Sequence, residues 1–143
     1  MAHKKEPITS ASLLAGAREF ADALSTLALK SGHLPVRTSA VLGAHCVELA
    51  LKAFLLSRGW TDQGLEKELG HHLARTWTEA AAAGLGVSAN APPWCQLLDS
   101  IHDFPYVGRY PPRNGDLVTP HPRDIATQVN DLIGLVDAAL RAT

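Results

Sequence analysis

The sequence predicts an all-α protein: an up-and-down four-helix bundle with one short extra helix and a proline-rich loop before the last helix. Three observations carry this expectation. Apolar residues recur at three- and four-residue steps through long segments, the spacing of one helical face. No segment alternates apolar and polar residues in the manner of a half-buried strand. The connections are short or marked by glycine and proline, which favours helices lying side by side. A chain of 143 residues suits one core, so residues 1–143 are read as a single domain with 1–7 as a disordered tail.

The first helix is expected over Ile8–Lys30, with Thr9 or Ser10 accepting hydrogen bonds from the free amides of its first turn. Leu13, Leu14, Ala17, Phe20, Ala21, Leu24, Leu27 and Ala28 form its apolar stripe. Gly32 and Pro35 end it. The second helix, Thr38–Arg58, is apolar around most of its circumference, so it is expected at the centre of the domain or beneath a second subunit. A turn of helix over Leu65–Leu69 breaks at Gly70. A third helix follows over His71–Ala83, and another starts at Pro93 and runs to Phe104. Trp94, Leu97, Leu98 and Ile101 mark the buried side of that helix. Pro105–Pro122, with five prolines and two glycines, reads as an ordered loop. The last helix spans Arg123–Arg141.

Composition narrows the function. Apolar residues make up 46% of the chain, charged residues 19%, and the formal net charge is −1. Binding nucleic acid through bulk positive charge is therefore excluded, although a local basic patch is not. Cys46 and Cys95 are far apart in sequence and are expected to be reduced, small apolar core residues. No uninterrupted apolar run approaches the length of a membrane span, and the start of the chain lacks the apolar segment of a signal peptide. A cytoplasmic location is the expectation.

Three groups of residues offer chemistry. His45, Glu48 and Lys52 fall within an arc of roughly 60° on the second helix, and Glu48–Lys52 has the favourable i,i+4 order for an ion pair. They form either a solvated stripe or a polar cluster lining a groove, where an imidazole beside a carboxylate and an ammonium binds phosphate or moves a proton. Gly70-His71-His72-Leu73 is the second group; adjacent histidines on a helix diverge by about 100°, so the two are not expected to face one ligand. The third is Arg109-Tyr110-Pro111-Pro112-Arg113 with His121. Its arginines present forks suited to carboxylate or phosphate, or else clamp the loop to the bundle. Zinc is set aside, because neither Cys-x-x-Cys nor His-Glu-x-x-His is present. Phosphate-loop, dinucleotide and nucleophile-elbow motifs are absent too, and no cofactor is expected.

The stretch His45-Cys46-Val47-Glu48-Leu49-Ala50-Leu51-Lys52-Ala53, then Gly59, then Gly70-His71-His72-Leu73 and Arg109-Tyr110-Pro111, resembles the HEPN superfamily over about Ile8–Arg141. The resemblance implies an up-and-down bundle, usually a homodimer, tied to RNA, nucleotides, toxin–antitoxin pairs with a nucleotidyltransferase partner, or defence. Many members are metal-independent ribonucleases, marked by an arginine followed four to six residues later by a histidine. Here Arg113 to His121 leaves seven intervening residues, so that signature is missing.

The leading expectation is thus a binding module for RNA, a nucleotide or a partner protein. His45, Glu48, Lys52, His71, His72, Arg109 and Tyr110 are the expected groove residues. A ribonuclease using Arg109 or Arg113 with His121 is the second reading, and a purely structural dimeric subunit is the third.

Overall fold

Every long helix begins where a capping group or a proline permits it. The computed structural model describes residues 6–30, 32, 34–103 and 118–142, and all regular structure among them is helical. Helix α1 (Ser10–Ala28) starts at a reciprocal capping box. The Thr9 hydroxyl accepts from the Ser12 amide at 3.0 Å, and the Thr9 amide donates to the Ser12 hydroxyl at 3.0 Å. Its start lies two residues inside the expected Ile8. Helix α2 (Val36–Ser57) starts two residues earlier than expected, because Pro35 occupies the capping position, where no amide is needed.

A single turn, α3 (Asp62–Gly64), is capped by the Thr61 hydroxyl and runs into a π-helical turn over Leu65–Leu69. Gly70, at φ 50° and ψ −123°, then reverses the chain in a region that only glycine enters freely. Helix α4 (Leu73–Ala82) starts later than the expected His71. Its first amide, Leu73 N–H, donates to the Asp99 carboxylate at 2.8 Å, so a neighbouring helix supplies the cap. That neighbour is α5 (Pro93–His102), with proline in its first turn. Helix α5 ends at His102, short of the expected Phe104, because Asp103 turns to extended backbone at φ −84° and ψ 175°. Phe104 and residues 105–117 of the expected Pro105–Pro122 loop lie outside the described residues. Helix α6 (Pro122–Arg141) closes the chain.

Helices α1, α2 and α6 pack against one another, and α2 also touches α4 and α5, which pair together. Helix α2 is therefore the common partner, which accounts for its apolar circumference. Ala40, Ala44, Val47, Leu51, Phe54 and Leu55 are all fully buried on it. Each large side chain among them contributes roughly 1.5–3 kcal/mol by leaving water. By length and composition alone α2 is apolar enough to cross a membrane, contrary to the reading from uninterrupted runs. Most of its apolar stretch is covered by the other helices. Cys46 and Cys95 are free and buried, and burial pushes both thiols up to about 12.

Helix α2 packs tightly against α6 at Gly43. A Cβ built there meets the Ile125 Cγ2 methyl at 2.3 Å. That methyl sits on a branched, stiff Cβ and cannot swing aside. Gly134, in the middle of α6, has nothing within 4 Å of the same built atom. Opposite outcomes follow from the same substitution. Gly43→Ala is expected to destabilise by about 1–2 kcal/mol, overpacking outweighing the better helix propensity. Gly134→Ala is expected to stabilise by about 0.5–1 kcal/mol. Urea unfolding midpoints of the two variants check both signs.

Candidate functional site

The polar edge of α2 faces inward. Glu48 is only 8% exposed, and three groups from different parts of the chain converge on it. His71 Nδ1 lies 2.7 Å from Glu48 Oε1, and His102 Nε2 lies 2.9 Å from the same oxygen. Lys52 Nζ stands 3.5 Å from Oε2 and donates to the Gly70 carbonyl at 2.6 Å. An ionised carboxylate only accepts, so both facing imidazole nitrogens carry the hydrogen. This fixes the tautomer logic at the site.

Local sequence explains each placement. The i,i+4 spacing puts Lys52 one turn above Glu48. The reversal at Gly70 turns its carbonyl toward Lys52 and delivers His71 to the carboxylate. His102 ends α5 on the face that also buries Leu98 and Ile101. His45 completes the group: it stacks on Phe20, with centroids 5.3 Å apart, and meets the His102 ring edge-on at 4.8 Å.

Burial alone raises the affinity of Glu48 for a proton. The hydrogen bond from His102, the charge of Lys52 and the hydrogen bond from His71 outweigh it and bring its pKa down from 4.5 to about 2. The carboxylate is thus a fixed negative charge near neutral pH. Beside it opens a cavity of about 560 Å³, lined by Glu48, Lys52, His71 and Gly70, by Asp62 and Glu66, and by Ile8, Leu13, Leu49 and Leu65. The site presents one ammonium and one imidazole on an otherwise acidic and apolar wall.

The structure brings together His45, Glu48, Lys52 and His71 among the expected groove residues. His72 points elsewhere: its Nδ1 pairs with Asp103 at 2.5 Å. His121 caps α6, with Nδ1 accepting from the Arg123 amide at 3.1 Å. Arg109, Tyr110 and Arg113 lie outside the described residues. Sequence reasoning missed His102. Its signal was a histidine four residues after Leu98 on an apolar face, where a buried ring nitrogen requires a polar partner.

No known protein family, no curated protein and no solved structure matches the chain.

Proposed function

We propose that the chain is a HEPN-like up-and-down four-helix bundle, working as a cytoplasmic homodimeric binding module in a toxin–antitoxin or defence setting. Its ligand is a nucleotide or an RNA segment, captured at the Glu48–Lys52–His71 cleft. One observation carries the reading: an ionised carboxylate is held at the floor of a cavity with a lysine and a histidine on its wall. Burying such a group costs more than an apolar residue of the same size, so a well-satisfied charge beside an open cavity points to use. Glu48 and His71 suit the amino and ring-nitrogen edges of a base. The acidic residues Asp62 and Glu66 at the cavity disfavour phosphate there. Phosphates are assigned instead to Arg109 and Arg113, in the segment that follows α5.

The test uses chelator-treated protein with ATP, GTP and a mixed-sequence single-stranded RNA as probes. At least one probe is expected to bind saturably and to leave with the RNA intact. His71→Ala and Lys52→Met are expected to weaken that binding at least about tenfold, or 1.4 kcal/mol; the partly exposed His71→Ala is expected to shift the melting temperature by only a few degrees, so its loss of binding is not a loss of fold. Binding unchanged in both variants, or no binding of any probe, contradicts the reading. RNA fragments that vanish on Arg113→Ala and His121→Ala would establish the ribonuclease instead.

A further inference from the structure

We propose that Glu48, His71 and His102 form a binding site for a first-row divalent cation of the zinc class, open on one side to the cavity. The three donor atoms come from α2, from the turn before α4 and from the end of α5. They lie within 4.8 Å of one another. Two imidazoles and one carboxylate are a donor set suited to zinc, cobalt, nickel and ferrous iron, and poorly suited to magnesium or calcium.

The geometry needs a small adjustment. Metal–ligand distances of about 2.0–2.2 Å put neighbouring donors of a tetrahedral site roughly 3.3–3.6 Å apart. Both imidazole nitrogens now stand 2.7–2.9 Å from Glu48 Oε1. Parting each nitrogen from Oε1 by about half to one ångström, with the two nitrogens, now within 4.8 Å of each other, brought to the same spacing, admits the ion through small side-chain rotations. A neutral imidazole passes its hydrogen to the other ring nitrogen and offers the vacated lone pair, so that ring loses no net proton. Lys52 keeps the second carboxylate oxygen and stays anchored on Gly70, holding Oε1 toward the metal.

An entry path exists. His71 is 41% exposed at its side chain, whereas His102 is buried, so the ion arrives past His71. Asp62 and Glu66 line the same cavity and concentrate cations at its mouth. Three protein ligands leave a further position for water or an exchangeable ligand. The metal site shares Glu48 and His71 with the proposed nucleotide cleft, and the two are told apart by their readouts: metal occupancy is measured without nucleotide, and nucleotide capture without metal.

Equilibrium dialysis of chelator-treated protein against Zn²⁺ tests it, with Co²⁺ absorption as a second readout. One equivalent of Zn²⁺ per chain is expected, and the Co²⁺ spectrum is expected to lack a thiolate charge-transfer band, because the donor set is Glu48, His71 and His102 and includes neither cysteine. Loss of an outer partner alone costs roughly 10–100-fold, so His71→Ala and Glu48→Gln are expected to lose no less. Asp103→Asn, which alters only the neighbouring His72 pair, is expected to bind Zn²⁺ normally. His71 is partly exposed, so its alanine variant stays informative if the Glu48 variant fails to fold. No bound Zn²⁺, full binding in folded His71→Ala, or binding lost only in Asp103→Asn overturns the site.

Discussion

Replacing Glu48 with alanine is expected to cost about 3–5 kcal/mol, the range for breaking a buried ion pair by removing one partner. Three groups lose their common acceptor. His102, whose side chain is 3% exposed, keeps a hydrogen on a nitrogen with no carboxylate to receive it. Lys52, 12% exposed at its side chain, loses its counter-charge and retains the Gly70 carbonyl alone. The shortened side chain also leaves a void between α2 and α5. His71→Ala serves as the contrast: its ring is partly in water, and about 1 kcal/mol or less is expected. Chemical denaturation of both variants reads the difference. A Glu48→Ala loss no larger than that of His71→Ala would show that the carboxylate does not join these elements.

The second large effect is a dependence of stability on acid. The folded-state pKa of Glu48, about 2, lies below its ordinary value of 4.5. Between those values the unfolded chain binds more protons than the folded one, so stability rises with pH. The contribution is fully present above about pH 4.5 and is lost as the pH falls toward 2. A shift of this size corresponds to on the order of 3 kcal/mol. Unfolding free energies measured from pH 2 to 5 are expected to climb steeply in the native protein. In Glu48→Gln, which has no carboxyl to titrate at that position, the climb is expected to be shallower by a comparable amount.

Much of the architecture was legible because periodicity and capping are local. The Leu65–Leu69 turn and its break at Gly70 are written in adjacent residues. So is the end of α6 at Arg141. The start of α4 was not, since its cap is Asp99, twenty-six residues away. At the site, spacing along α2 linked Glu48 to Lys52 but left the direction of that edge open between water and a groove. The direction depends on His102, fifty-four residues from Glu48, which seals the carboxylate from the far side. Likewise, the divergence of adjacent histidines anticipated that His71 and His72 part company, and the separate partners Glu48 and Asp103 are what tertiary structure added. His121 drew attention through its distance from Arg113; its position just before a proline was the better clue to a helix cap.

Glu48 is buried yet stays charged near neutral pH, and direct titration of its carboxyl tests this most plainly. Selective ¹³C labelling of glutamate side chains, with Glu48→Gln used to assign the resonance, allows the Glu48 carboxyl to be followed by NMR as the pH is lowered. A midpoint near 2, well below the exposed glutamates, is the predicted result. A midpoint at 4.5 or above would mean that the carboxylate is not held by His102, His71 and Lys52.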